Sequence, residues 1–96
     1  DTLTSRNNLA NALNDLGQHR QAADLHQRVL TDTERILGPD HPDTLASRNN
    51  LANVLGDLGE HRQAADLLQQ VLTDTERILG PDHPETLASR NNLANA

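Results

Sequence analysis

Hydrophobic residues recur at helical spacing along the whole chain. In its centre one arc of a helical wheel holds Leu45, Leu51, Ala52, Leu55 and Leu58. This pattern predicts an amphipathic helix from about Pro42 to Leu58. Pro42 suits the first helical position, because its missing N–H would have no partner there. Gly59 follows, and glycine readily takes the left-handed conformation that ends a helix.

A second helix is predicted from His61 or Arg62 to Leu79. Its apolar stripe consists of Ala64, Leu67, Leu68, Val71, Leu72, Ile78 and Leu79. Gly80-Pro81 ends this helix, since proline cannot continue it. The turn of two or three residues between the two helices makes them an antiparallel hairpin. No segment alternates with period two, so we predict an all-α fold.

The sequence repeats itself with a period of 42 residues. Residues 1–42 and 43–84 are identical at 36 of 42 positions, and residues 85–96 begin a third copy. The six differences are Thr4/Ala46, Ala12/Val54, Asn14/Gly56, Gln18/Glu60, His26/Leu68 and Arg28/Gln70. Such a period with helical patterning is typical of a stacked solenoid. We therefore predict one repeat domain over 1–96: an α-solenoid of five helices, with two hairpins and a final helix of the first type. The first and second helices of each copy are called first-type and second-type helices.

Particular residues carry a resemblance to a known family. The string Leu79-Gly80-Pro81-Asp82-His83-Pro84 is similar to the inter-repeat segment of kinesin light chain-type tetratricopeptide repeats, as are Asn50-Leu51-Ala52, Leu55, Gly59, Ala64, Leu67-Leu68 and Val71-Leu72. Similar repeats occur in bacterial proteins with attached ATPase or signalling modules. The resemblance implies a right-handed superhelix whose first-type helices line a concave groove that binds peptides or protein segments. The chain departs from the family at His19 and His61, where tyrosine is usual, and at three arginines on the core-facing arc: Arg6, Arg48 and Arg90.

Charge and composition exclude several classes of partner. The net charge is −6, from 14 acidic residues against 8 arginines and no lysine, which argues against nucleic acid and anionic membrane surfaces. Aromatic residues and cysteines are absent, so bases cannot stack on aromatic rings and disulfides cannot form. No apolar run approaches the roughly 18 residues that a membrane helix needs. We expect a cytoplasmic protein and, because the chain begins at Asp1 without methionine, a fragment of a longer one.

Asparagines form the most distinctive polar feature of the first-type helices. Asn49 and Asn53 are four residues apart and share a face, with Asn50 beside them. The candidate peptide-binding residues are Asn7, Asn8, Asn11, Asn49, Asn50, Asn53, Asn91, Asn92 and Asn95. A carboxamide offers donors and an acceptor, so it can pair with the backbone of an extended peptide. The alternative is that these asparagines bond across neighbouring helices and rigidify the stack.

The other polar residues favour structural roles. A guanidinium at a helix interface needs acceptors, and for Arg6, Arg48 and Arg90 these are expected on the preceding helix, as Asp24, Asp32 or Glu34. His19 and His26 are seven residues apart, about 10.5 Å along a helix, which is too far for one metal ion. His41 and His83 suit turns and caps, and His26 should be partly buried. No catalytic constellation, phosphate loop, metal site or cofactor site is recognised, so we do not expect an enzyme.

Three functions remain open. The first is a scaffold that binds a protein or peptide, neutral or basic because the chain is acidic. The second is a structural spacer in a longer array, and the third is an idealised or excised array without a ligand of its own. A helical-repeat reader of RNA is disfavoured by the acidic charge. Neither end shows the polar outer face of a capping helix, so we also expect head-to-tail self-association.

Overall fold

The computed structural model describes residues 3–94, which form five α-helices and no strand. The helices are α1 (Leu3–Asp15), α2 (His19–Leu37), α3 (Pro42–Asp57), α4 (His61–Leu79) and α5 (Pro84–Ala94). The predicted all-α architecture of two hairpins plus a final helix is confirmed. The two central helices begin and end within one residue of their predicted bounds. First-type helices are α1, α3 and α5, and second-type helices are α2 and α4.

Local sequence explains where the helices begin and end. His41 precedes α3, and its Nδ1 accepts a hydrogen bond of 3.0 Å from the backbone N–H of Asp43. His83 does the same for Glu85 at 3.1 Å, so both linker histidines are helix caps, as predicted. Gly59 lies in the left-handed region with φ +85°, a conformation that costs a residue with a Cβ atom more than glycine.

Each helix packs mainly against its neighbours in the chain, from α1 with α2 to α4 with α5. Three equivalent leucines show the consequence. Leu51 of α3, between α2 and α4, is only 4% exposed, whereas Leu9 of α1 is 55% exposed. Leu93 of α5 is half-buried against Ala52, Ala64 and Leu68. A first-type helix therefore buries this leucine fully only when second-type helices flank it on both sides.

The core is built from small and aliphatic residues. One cluster comprises Ala22, Ala23, Leu30, Leu51 and Val54, and the other Ala52, Ala64 and Leu68. Burial does not extend along the whole apolar stripe of α4, because Ile78 and Leu79 at its end are 40% and 38% exposed. Thr75 continues the buried stripe in the last turns of α4, and its hydroxyl donates to the carbonyl of Val71 at 2.6 Å.

Ion pairs connect each first-type helix to its second-type neighbours. Arg48 is 10% exposed at its side chain and reaches Asp74 of α4 at 2.9 Å and Glu34 of α2 at 3.8 Å. In the end helices α1 and α5, the equivalent arginine pairs with one second-type helix instead of two. Arg6 pairs with Asp32 at 2.8 Å and Arg90 with Glu76 at 3.4 Å. Structural pairing is therefore found for all three arginines. Only part of this pairing is with the preceding helix, as expected: Glu34 lies 3.8 Å from Arg48, whereas the shorter contacts of Arg6 with Asp32 and of Arg48 with Asp74 are made to the following helix. Asp24 forms no ion pair within residues 3–94.

These contacts hold two aspartates in their charged form. The hydrogen bond from Arg6 keeps the pKa of Asp32 below its ordinary value. In the linker after α2, Asp40 receives a hydrogen bond of 2.7 Å from Arg77 of α4, which likewise lowers the pKa of Asp40. A hydrogen bond between uncharged groups also stabilises this linker, since the Thr44 hydroxyl donates to the Gly38 carbonyl at 2.7 Å. Successive repeats are thus joined by polar as well as apolar contacts.

His26 is more deeply buried than its sequence indicates. We expected partial burial, but the side chain is 1% exposed, because it takes the core position that Leu68 fills in the next repeat. Neither ring nitrogen has a hydrogen-bond partner within residues 3–94. Burial lowers the pKa of His26 below 6.5, since the charged ring would lose its hydration.

The equivalent leucines test the nearest-neighbour packing. Leu51→Ala should lower the free energy of unfolding by roughly 2–5 kcal/mol, because it leaves a cavity between α2 and α4. Leu93→Ala should cost clearly less, since its side chain is already partly in water. Denaturant titration followed by circular dichroism measures both, as the chain has no aromatic fluorophore. Equal losses for the two variants would contradict this packing.

His26 should make stability depend on pH. Its folded-state pKa is depressed, so the unfolded chain binds more protons, and the contribution to stability is complete above 6.5 and lost as the pH falls through the folded-state value. His26→Leu should stabilise the fold by about 1–3 kcal/mol at neutral pH, with a larger gain near pH 5.5. Exposed His61→Gln is the control. A gain from His26→Leu that stays constant between about pH 7.5 and 5.5 would refute the assignment.

Candidate functional site

The nine asparagines predicted as binding residues stand at equivalent sequence positions in the three copies. Eight of them lie within the described residues, and Asn95 lies outside them. Their helical spacing places them on or beside one face of each helix, the face that we call the asparagine face. The structure then divides them into a paired group and an exposed group.

Four asparagines pair between successive first-type helices. The Asn50 amide of α3 donates to the Asn7 carbonyl oxygen of α1 at 3.3 Å. The Asn92 amide of α5 donates to the Asn49 carbonyl oxygen of α3, also at 3.3 Å. All four side chains are half-buried. The pairing repeats with the period of the sequence and links helices that are not neighbours in the chain.

The other four described asparagines are exposed. They are Asn8 and Asn11 of α1, Asn53 of α3 and Asn91 of α5. Asn91 lies on the outer face of α5, away from α4. Asn53 instead lines a cleft with Asn92, and its carboxamide forms no hydrogen bond with another residue in 3–94. Asn53 therefore presents both donors and its acceptor to solvent at the centre of the asparagine face.

Shallow clefts run along this face where successive first-type helices meet. A cleft of 180 Å³ between α1 and α3 is lined in part by Asn7, Asn50 and Ala46. Between α3 and α5, a cleft of 270 Å³ contains Asn49 and Asn92. The third, of 300 Å³, contains Asn53 and Asn92. Their size fits single side chains or short backbone segments rather than a whole small-molecule ligand.

Acidic side chains accompany the asparagines, and the sequence analysis did not assign them to the site. The clefts are lined by Asp43, Asp57 and Glu85, and among the described lining residues there is no arginine. The missed signal was spacing, since positions 43, 46, 50, 53 and 57 follow one face of a helix. Asp57 also accepts a hydrogen bond of 3.0 Å from the Asn14 amide of α1. The arrangement offers carboxamide hydrogen bonds beside negative charge.

The part of the chain that the structure describes contains neither a group of side chains that could hold a metal ion nor a helix that could cross a membrane. Within residues 3–94 no three histidine, aspartate or glutamate side chains come close enough to hold a metal ion. None of the described helices combines the length and the apolar character that crossing a bilayer requires.

Comparisons with known proteins agree with this architecture. A search of curated proteins finds no match. Among solved structures, the nearly identical TPR-like repeats of a candidate kinesin light chain from Podosopora anserina match with a TM-score of 0.88 and 33% sequence identity. A single-substitution variant of that protein matches equally well. The match covers 97% of this chain but 44% of the relative, so the chain spans less than half the length of that protein.

The family model for the tetratricopeptide repeat matches residues 1–76. That range holds the first hairpin and most of the second, including the turns and the linker between them. With the period, the hairpin packing and the structural match in agreement, the chain belongs to the tetratricopeptide repeat family.

Proposed function

We propose that this protein is a scaffold that holds an extended segment of a partner protein along its asparagine face. The observation that carries the proposal is the exposed carboxamide of Asn53 in a cleft beside Asp57. Tetratricopeptide repeats generally mediate protein–protein interaction and are typically non-enzymatic. A cytoplasmic location, as expected from the sequence, belongs to the same proposal.

Hydrogen-bonding capacity supports an extended partner. Asn50 uses one amide hydrogen on Asn7, so its second amide hydrogen and its carbonyl oxygen remain for a ligand. An extended peptide exposes an N–H and a C=O at each residue, which is the pattern that a row of carboxamides complements. Such contacts go to the peptide backbone, and recognition should tolerate many side chains.

Charge supports a neutral or basic partner. Asp43, Asp57 and Glu85 line the clefts, and the arginines of the first-type helices are directed to carboxylates of the second-type helices instead. An acidic peptide would meet like charge here, whereas lysine side chains would meet carboxylates. The same charge pattern disfavours a nucleic-acid partner.

The competing function is a structural spacer, and one observation favours it. The Asn50–Asn7 and Asn92–Asn49 pairs join the first-type helices directly, so part of the asparagine face serves the stack itself. An array whose asparagines act only in this way would need no ligand. The two functions differ in what they require of Asn53, which forms no such pair.

Peptide titration separates them. We expect a ten-residue peptide of alternating lysine and serine to bind more tightly than its glutamate–serine counterpart, because the clefts are acidic. Asn53→Ala should weaken binding of the lysine peptide about fivefold and leave the melting curve unchanged, since the side chain is exposed. Calorimetric titration and circular dichroism measure the two quantities.

Two control variants make the result interpretable. Gln70→Ala removes an exposed amide from α4, a second-type helix, and should change neither binding nor melting. Asn50→Ala breaks the pair with Asn7 and should cost about 0.5–1.5 kcal/mol of stability. Tighter binding of the glutamate peptide, or unchanged binding by Asn53→Ala, would reject the scaffold function of this face.

We further propose that the 96-residue chain associates with itself. Leu9 on α1 and Leu87 on α5 are 55% and 50% exposed. Both end helices are first-type, so simple stacking would place two like helices together. Helix exchange avoids this: α1 of one copy takes the place of α5 against α4 of another copy. The two helices can replace each other because residues 3–12 and 87–96 differ at one position, Thr4 against Ala88. Packing of that kind joins different surfaces and need not close into a dimer.

Light scattering tests the association directly. The mean mass should rise over a hundredfold range of protein concentration, because exchange is bimolecular. A monomer mass that stays constant over the whole range would refute self-association.

A further inference from the structure

A fourth cleft lies on the side of α3 opposite the asparagine face. Its volume is 480 Å³, the size of a typical ligand-binding cleft. We call it the leucine cleft; it is lined by polar side chains of α2 and α4 and by four leucines, Leu51, Leu55, Leu58 and Leu67. At about 100° per residue, Leu55 stands about 180° around α3 from Ala46 of the asparagine face. The two surfaces are therefore separate.

The packing order of the helices explains why this cleft exists. Chain neighbours make the main helix contacts, so α2 and α4 flank α3 without closing over it. Leu55, Leu58 and Leu67 remain only half-buried between them. The chain has no phenylalanine, tyrosine or tryptophan that could fill the space. An apolar floor is thus left accessible between two polar helices.

The rim of the leucine cleft is acidic and uncompensated. The rim contains three carboxylates, those of Asp24, Glu60 and Asp66, and one basic side chain, that of Arg20. All four side chains belong to exposed residues, and none forms an ion pair with another residue in 3–94. Other carboxylates of the second-type helices differ, since Asp32, Glu34, Asp74 and Glu76 pair with arginines. The rim charge is therefore available to a ligand.

We propose that the leucine cleft docks a segment of a partner protein that carries leucine-sized side chains flanked by lysine or arginine. The half-buried leucines receive the apolar side chains, because their contact removes apolar surface from water on both partners. The rim carboxylates attract the flanking cations and disfavour acidic segments. Because this surface is opposite the asparagine face, the repeat array holds two protein segments at once, and docking here does not depend on the function proposed for the asparagines.

Matched peptides test the docking on the intact 96-residue chain. The probe is an acetylated peptide that repeats lysine-leucine-lysine, and the comparison peptides replace lysine with glutamate or leucine with serine. We expect the lysine–leucine peptide alone to shift the ¹³C-methyl NMR signals of Leu55, Leu58 and Leu67. Shifts of equal size with the glutamate peptide would overturn the charge argument. Shifts confined to the methyl groups of Leu45 or Ala46 would place the peptide on the other side of α3 and overturn the site.

Variants then assign the rim. Asp24 and Asp66 are equivalent positions in the two repeats, and both are exposed, so the double variant Asp24→Asn/Asp66→Asn should fold normally. It should bind the lysine–leucine peptide about tenfold more weakly, as expected from the loss of two charge contacts. The control Asp82→Asn removes an exposed linker carboxylate outside the cleft and should leave binding unchanged. Unchanged binding by the double variant would overturn the proposal, and the methyl shifts of the unaltered chain decide the case if that variant loses helicity.

Discussion

Burial of a first-type helix between two second-type helices is the constraint on which the rest of this structure depends. In α3 it buries Leu51 and gives Arg48 acceptors on both sides, Asp74 and Glu34. A guanidinium with 10% of its side chain exposed would be costly without such partners. A first-type helix at the end of the array packs against one second-type helix, so about half of its apolar face is covered. Stability is therefore a property of adjacent helices and accumulates repeat by repeat.

A core without aromatic residues has two consequences. Alanines allow helices to approach closely, as at Ala22 and Ala52, but each contributes little apolar area. Polar contacts supplement the core at the repeat junctions, including the hydrogen bond from the Thr44 hydroxyl to the Gly38 carbonyl. The second consequence is incomplete filling, since the leucines between α2 and α4 keep part of their surface in contact with water. The weakness of the core and the presence of an accessible cleft thus have one cause.

The two faces of α3 offer different chemistry for binding. On one side, carboxamides and carboxylates line the shallow clefts where we propose that an extended segment binds. On the other side, an apolar floor with an acidic rim complements leucine-sized side chains beside cations. The asparagine pairs recur with the repeat, whereas the leucine cleft, which needs a second-type helix on each side of a first-type helix, occurs once within residues 3–94. The pairing of Asn7 with Asn50 shows that the asparagine face also contributes to the stack, whereas Asn53 of α3 is exposed and forms no such pair within residues 3–94.

Sequence alone determined the period, the five helices and their bounds, because these depend on local features: helical spacing of apolar residues, proline and histidine at helix starts, and glycine at helix ends. It also indicated that the core arginines require acceptors. What it could not determine was the environment of equivalent residues. Leu9 and Leu51 lie in nearly identical local sequences, yet one is exposed and the other buried, since burial depends on helices far away in the chain. For the same reason His26, which was expected to be partly buried, is only 1% exposed. The asparagines likewise divide into a paired group and an exposed group. Only the tertiary structure decided these outcomes, because packing depends on which neighbours are present rather than on local sequence.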